Sequence, residues 1–541
     1  MVGSANGDGG AYRPGPGRGR AGVAAPAEPA TTADGPAAPD RGRTVLVWIA
    51  VVGIVAAAAV MVAVSVAGPS LSVVTMPKPA VGPPWWSWRH PSPALVTFAL
   101  WGAVLAGGTG VIAGLVAVAR GARPPVRVLL AFAALVVGLL TVLPAAGSTD
   151  ILDYAANGRM AATGHSPYVM TPLQLKRSGD PIGRWIPATW DTSVSVYGPV
   201  ATAEEWAAAE LGGPSMARVT FWLKLWNSIA FGVVVLLLDR TLRADPARRL
   251  RGHLLWTVNP LLLWEIVASG HIDGLAAAFG LLGVLVVRNR PGPGLGRGGK
   301  GARRPVVARF LLAGLLIGVA AAIKIPFAAF GLGVLWAGRR SVPALTATAA
   351  GLLAGLGPAY ALAGRPAVSV LLHRGPATTW DTMYQIFYRP LGYTTFGAFT
   401  VPPHLTVIAA VACLAVAILA WWRFPDGTPD LPALSPALAL SLAWLLVWSY
   451  QRPWYDVMAI CLLAVYPASQ LDWLVLGRLI LTAPVYLPGV PGPTPPWLTS
   501  TINAVGDYVA PSARLVAALA FVALCLTGRW AWRGPELPAI R

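Results

Sequence analysis

Charge is scarce in this chain. Of its 541 residues 12% are charged, about half the share usual in soluble domains, and there are 22 acids against 41 lysines and arginines. With 55% of residues hydrophobic and a mean hydropathy of +0.61, this scarcity excludes a soluble globular enzyme. Cysteine is nearly missing: Cys413, Cys461 and Cys525 all sit in apolar segments, which excludes a disulfide framework or a thiolate metal cage. No polar segment is large enough to fold as a nucleotide-sugar domain of the Rossmann type. The glycine-rich stretch 289–305 lacks the Walker spacing and its terminal Gly-Lys-Ser/Thr, so it reads as a basic linker and not as a phosphate cradle. Although the net charge is +19, no basic helix is interleaved with aromatics as a nucleic-acid surface requires.

What the chain does have is apolar runs. They recur from about residue 44 to about residue 528, and most reach the roughly 17–25 residues that cross a bilayer as helix. The expectation is an all-α polytopic membrane protein of about twelve to fourteen crossings. Segments 252–268 and 272–288 are read as two successive spans, and the short, proline-interrupted segments 325–337 and 478–488 as re-entrant or broken helices. Residues 1–42, rich in Gly, Ala, Pro and Arg without periodicity, are expected to form a disordered cytoplasmic tail. They carry no signal-peptide pattern, so the tail should stay attached. The membrane domain is then 43–532, followed by a second cytoplasmic tail, 533–541.

Arginines cluster in short loops, at Arg120, Arg123 and Arg127, at Arg240 to Arg251, at Arg288 to Arg309 and at Arg339 and Arg340, as the positive-inside rule requires of one face. The same threading gathers five segments on the opposite, extracytoplasmic side: the long loop 147–215, the Gly270–Asp273 turn, Lys324, the loop 364–403 and Gln451 to Asp456.

The segment STDILDYAANGRMAATGHSPY, residues 148–168, opens the long outer loop with two acids at the membrane edge. On a helix Asp150, Asp153, Tyr154 and Asn157 fall along one stripe and can address one cavity. A carboxylate there can take a proton from a sugar hydroxyl, which needs only hydrogen-bond reach and a suitable pKa. Asp153 could orient Asp150 or bind acceptor hydroxyls. The blander alternative is that Ser148, Thr149 and Asp150 only cap an interfacial helix.

Other polar residues at the same face have two readings each. His271 and Asp273 follow Gly270, where the chain can turn tightly, and either bind headgroup or sugar oxygens or close a helix hairpin. Two such ligands do not make a zinc site. Lys324 either meets a phosphate or snorkels to the interface, and Arg389 and Arg452 are phosphate-clamp candidates or interfacial anchors. Trp454 and Tyr455, beside Arg452, either line the site or belong to the aromatic belt with Trp185, Trp190 and Trp380.

Five motifs in order carry a family resemblance. Asp150 with its spaced tyrosine and glycine and the GHSPY turn ending at Tyr168, SVYGP around Tyr197, VNPLLLWEIVASGHIDG ending at Gly274, AAAIKIP around Lys324, and RPWYD from Arg452 to Asp456 resemble the polyprenol-phosphate-sugar glycosyltransferases of the GT-C superfamily. The chain looks most similar to the actinobacterial polyprenol-phosphate-mannose-dependent α-1,6-mannosyltransferases that build lipoglycan mannan. The match runs over about residues 145–470.

The resemblance implies a GT-C-like bundle with a long first catalytic outer loop. It implies inverting transfer of mannose from polyprenol-phosphate mannose to an oligomannoside or lipoglycan acceptor on the outer face of the plasma membrane, with Asp150 as base. The substrate contacts it implies are Tyr154, Asn157, Tyr168, Tyr197, His271, Asp273, Lys324, Arg389, Arg452, Trp454 and Tyr455. Similar proteins often carry a small polar residue where this chain has Asp153, which leaves open the choice between the two carboxylates and the participation of a divalent metal. The order Ser-Thr-Asp favours Asp150. No other cofactor and no nucleic acid is implied. The competing class is a transporter or flippase of lipid-linked sugar, which would place its charged sites near the bilayer midplane and not at its edge.

Overall fold

The computed structural model describes residues 41–87, 89–188, 190–288, 300–373, 378–392, 403–425 and 427–531. The tail 1–42 lies outside them except for its last two residues, as do the tail 533–541, most of the basic stretch 289–305 and part of the loop 364–403.

The chain runs through α1 (Arg41–Ala67), α2 (Pro93–Ala119), α3 (Val126–Val142), α4 (Asp150–Ala162), α5 (Pro199–Gly212) and α6 (Met216–Leu242). A bent pair follows, Pro260–Ala268 and α7 (Asp273–Val286), then α8 (Val306–Ile323), α9 (Ile325–Gly338), α10 (Val342–Leu372) and α11 (His404–Arg423). The last elements are α12 (Leu434–Val447), α13 (Pro453–Leu463), α14 (Leu471–Thr482) and α15 (Pro496–Thr527). The protein is all-α: among the described residues β-structure is limited to two isolated bridges.

Among the described residues seven helices are long and apolar enough to cross a membrane, namely α1, α2, α6, α8, α10, α11 and α15, and the bent pair makes an eighth span if it crosses as one. Four shorter apolar helices, α3, α9, α12 and α13, fill the remaining bundle positions. The two separate spans read at 252–268 and 272–288 are thus the arms of one element, bent by 112°. Gly270, at φ +72°, permits the reversal, and Ile151 of α4 packs where a side chain at 270 would stand, its Cδ1 only 2.6 Å from the position a Cβ would take. Near the C-terminus the break falls after Tyr466, where Pro467 cannot continue a helix, so the expected spans 457–476 and 478–488 become α13 and α14.

Small residues set the closest helix approaches. Gly314 and Gly318 on α8 face Gly351 and Gly355 on α10, each against backbone of the other helix, a reciprocal GxxxG pairing of the kind that lets membrane helices touch. Large apolar side chains stay outward, including Leu362, Val407 and Trp422, as a lipid-facing surface requires.

The expected outer loop 147–215 is a small helical layer in its own right. It holds α4, the short helix Pro172–Arg177 with a Thr171/Gln174 capping box, and α5. α4 lies on α5 with no side chain between them at Gly158, whose Cα faces the backbone carbonyl of Glu205. Gly158→Leu should therefore lower stability by at least about 2–3 kcal/mol, because backbone cannot yield as a side chain can. Thermal unfolding in detergent is the check, and a variant as stable as the parent would contradict this packing. The loop expected at 364–403 also differs, since the helix resumes after a kink at Gly364 (φ +77°) and continues to His373.

Candidate active site

Two cavities meet at the N-terminus of α4. The first, of about 340 Å³, is lined by Asp150, Asp153, Asn157 and Tyr197, by Lys324, Tyr450 and Tyr455, and at its far end by the apolar Ile325, Pro326, Ala367, Val370 and Leu371. The second, of about 390 Å³, is lined by Ser148, Thr149 and Asp150, by Arg452 and Trp454, by Trp380 and Tyr486, and by the 485–503 segment with Thr494, Thr499 and Asn503. Asp150 and Trp190 are common to both linings.

Backbone tethers place Asp150 at this junction. Gly147 N donates to Ser72 O at 2.7 Å and Ala146 N to Ala268 O at 3.1 Å. Ser269 Oγ donates to Ala146 O at 2.7 Å. Buried Lys224 donates to the carbonyls of Leu143 at 2.7 Å and Pro144 at 3.2 Å, where α3 ends. Thr149, the residue before the helix, makes no side-chain capping bond, whereas Ser148 Oγ accepts from Asp150 N at 3.1 Å. The capping alternative thus falls to Ser148 and leaves the Asp150 carboxylate to the cavities. That carboxylate is half-buried. Burial raises its pKa from the usual carboxylate value, and the charges of Arg452 and Lys324 pull it back down.

The cations differ in how their charge is balanced. Lys324 Nζ donates to both oxygens of Asp273, at 2.7 and 2.9 Å, and lies 3.7 Å above the Tyr455 ring. Arg452 has no carboxylate partner among the described residues. Its guanidinium bonds the Tyr450 hydroxyl at 3.3 Å and lies 4.7 Å from the Tyr486 ring centroid and 5.8 Å from that of Trp454. Arg452 is therefore the stronger anion site of the two, because its charge is not already neutralised. The sequence motifs alone favour Lys324 for this role.

Other expected site residues form a supporting wall and do not line either cavity. Tyr197 Oη donates to Tyr154 Oη at 3.3 Å, and Tyr154 Oη is 3.1 Å from His271 Nδ1. The His271 ring stacks on Trp454 at 3.8 Å. Tyr168 Oη pairs with Thr202 Oγ1 at 2.8 Å and donates to Tyr197 O at 3.2 Å. Asp273 holds Lys324. Of the substrate contacts expected, Tyr154, Tyr168, His271 and Asp273 thus orient those that reach the cavities. Arg389 lies apart from the others: it pairs with Asp507 at 2.6 Å, lies 5.4 Å from the Tyr508 ring and lines neither cavity.

The sequence reading assigned Trp190 and Trp380 to the aromatic belt, whereas both line the cavities, and it passed over Tyr450 and Tyr486, which also line them, and two buried ion pairs, Arg478–Asp456 and Arg514–Asp381. Both pairs converge on Gln451. Arg478 Nη2 donates to its side-chain oxygen at 3.1 Å, and Arg514 Nη2 and Tyr486 Oη donate to its carbonyl, each at 3.3 Å. The signal for these pairs was charge inside apolar runs, costly in a membrane unless paired. Among the described residues no group of three or more His, Cys, Asp or Glu side chains is arranged to hold a metal ion.

The fold defines a polytopic membrane protein, and its family defines a glycosyltransferase. Residues 50–338, more than half of the chain, match the family model of the alpha-(1->6)-mannopyranosyltransferase N-terminal domain, and the chain belongs to that family. It is similar to alpha-(1->6)-mannopyranosyltransferase B of Corynebacterium glutamicum, with 28% identity over 183 residues, 32% of this chain and 29% of that relative. The alignment thus spans less than a third of that relative's length. Among solved structures, ArnT from Cupriavidus metallidurans in the apo state shares 15% identity at a TM-score of 0.33, over 69% of this chain and 73% of that one. The family match covers Asp150 through Lys324, whereas Arg452, Trp454 and Tyr455 come from beyond it.

Proposed function

We propose that the protein transfers a mannosyl residue from polyprenol-phosphate mannose to a hydroxyl of a growing mannan or lipoglycan, with inversion, at the outer face of the plasma membrane. The observation that carries this reading is the position of Asp150, the acid common to two cavities of different character. The first cavity combines a polar head with an apolar end between Ile325 and Leu371, and so suits a lipid-borne phosphosugar. The second is walled by tryptophans, hydroxyls and an amide, and so suits a glycan chain.

Lys324, which lines the first cavity, and Arg452, which lines the second next to Asp150, meet the donor phosphate at the junction of the two and stabilise the charge that gathers on it as it leaves. The acceptor hydroxyl enters from the second cavity. Its oxygen forms the new bond to the anomeric carbon as the bond from that carbon to the phosphate oxygen breaks, and its proton passes to Asp150. Attack from the side opposite the phosphate inverts the anomeric centre.

The test is turnover by the full chain purified in detergent with polyprenol-phosphate mannose and a short α-1,6-mannoside. Transport needs two compartments and glycosyl transfer does not, so product formation in micelles supports an enzyme. No transfer under any condition that keeps the protein folded would remove the proposal. Arg452→Gln should raise the donor KM about 10- to 100-fold, the worth of a lost charge-assisted hydrogen bond, and leave the acceptor KM within about threefold. An unchanged donor KM would take the phosphate away from Arg452.

A further inference from the structure

Beside Asp150 lies a group of acids that the mechanism above does not use. Asp153, one turn along α4, lines the first cavity and is 8% exposed, and its Oδ1 is buried without a hydrogen-bond partner. Glu205 on α5 is fully buried and has no ion-pair partner among the described residues; the Asn157 amide is its polar neighbour. Its neighbour Glu204 accepts from Asn227 at 3.0 Å through one oxygen and leaves the other unpartnered.

Among the described residues no cation of the elements packed around them balances these charges. On α4, Arg159 is paired with Asp180 at 2.8 Å. On α6, Lys224 is committed to backbone carbonyls. On the short helix 172–177, Lys176 and Arg177 are exposed. The remaining charged groups facing Asp153 are themselves acids, Asp150 and Asp191. Asp150 is different, because Arg452 and Lys324 stand near it.

We infer that Asp153 is a neutral carboxylic acid in the working protein, kept protonated by its burial without an ion-pair partner and by the Asp150 and Asp191 carboxylates that face it, and donates a hydrogen bond into the first cavity. A buried carboxyl that faces two other carboxylates and has no ion-pair partner keeps its proton, because ionising it would add a further like charge in a poorly solvated place. Burial and the neighbouring carboxylates raise the pKa of Asp153 well above the usual carboxylate range, in keeping with this geometry. Two acids three residues apart thereby take opposite states: Asp150 is ionised to accept a proton, and Asp153 is protonated to donate a hydrogen bond. Its side chain lines the cavity, and its buried Oδ1 has no hydrogen-bond partner. Its ligand would be an acceptor oxygen on the phosphosugar, and this part of the inference rests on the proposed function.

The protonation itself does not rest on that function, so it is tested first by spectroscopy. Infrared spectra of the full-length protein in detergent near pH 7 should show carbonyl-stretch bands of protonated carboxyls. Asp153→Asn should delete one of them and Asp150→Asn none. In Asp191→Asn, which removes one facing carboxylate without adding charge, the Asp153 band should disappear at a lower pH than in the parent. An unchanged spectrum in Asp153→Asn, or a band removed by Asp150→Asn, would overturn the assignment of states. So would an Asp191→Asn variant in which the band does not move. For turnover, Asp153→Ala should raise the donor KM about tenfold, and Asp153→Asn, which restores a neutral donor, should bring it back to within about threefold of the parent. Loss of turnover in Asp153→Asn equal to that of Asp150→Asn would show an ionised acid and refute the inference. Absence of turnover in the parent would count against the proposed function alone and leave the spectroscopic result standing.

Discussion

Asp150→Asn should give a folded protein whose kcat for glycosyl transfer has fallen by about 10²–10⁴, the range that a positioned general base contributes. The amide has the carboxylate's shape and keeps the neighbourhood of Ser148, so stability should barely change, while the proton acceptor is gone. The donor KM should stay close to the parent's, because Arg452 and Lys324 are untouched. The pH dependence follows from the same surroundings. Burial raises the Asp150 pKa from its ordinary value, although the two cations limit the rise. The base form is therefore lost as pH falls through a value above the usual carboxylate range, and kcat/KM should decline there on the acidic side. A variant retaining full turnover, or a parent profile flat down to pH 4, would remove Asp150 as the base.

The second large effect concerns stability. Arg478→Met leaves Asp456 fully buried beside no other ion-pair partner, and breaking a buried pair from one side costs about 3–5 kcal/mol. The same change removes the bond to the Gln451 side chain, one residue before Arg452. Both stability and turnover should fall. Replacing both partners, Arg478→Met with Asp456→Leu, removes the orphaned charge and should recover most of the stability. It should recover turnover less fully than stability, since the Gln451 side chain still lacks its bond to Arg478, although the Gln451 carbonyl keeps those from Arg514 and Tyr486. Thermal unfolding read alongside donor KM separates the two effects. Full recovery of both would mean that this pair does not position Arg452.

The candidate site was legible in the sequence where chemistry and local pattern coincide. Asp150, Asp153 and Asn157 fall on one stripe because a helix puts them there, and all three line the first cavity. The Gly270 turn was legible because glycine before His271 and Asp273 permits a positive φ, which it adopts. Lys324, Trp454 and Tyr455 were legible only through motifs, and the structure brings them to the cavities. Arg389 shows the limit, since an arginine near a membrane edge looks the same whether it meets a phosphate or, as here, Asp507. Glu204 and Glu205 were overlooked because an acidic doublet in a helix ordinarily faces water, and only the close crossing at Gly158 buries it.

Hydrophobicity along the chain determined that the protein is helical and membrane-embedded, because backbone in hydrocarbon must satisfy its own hydrogen bonds and long apolar runs have no other stable form. It also marked the acids and cations that such surroundings tolerate only at a cost in free energy. Tertiary structure alone decided which of them face a cavity, which are neutralised and which are left over. Asp273 neutralises Lys324, Asp507 takes Arg389, Arg452 stands near Asp150, and among the described residues the acids at 153, 204 and 205 have no ion-pair partner. Charge balance at a site depends on distances of a few ångströms between residues up to hundreds of positions apart, and no local pattern contains those distances.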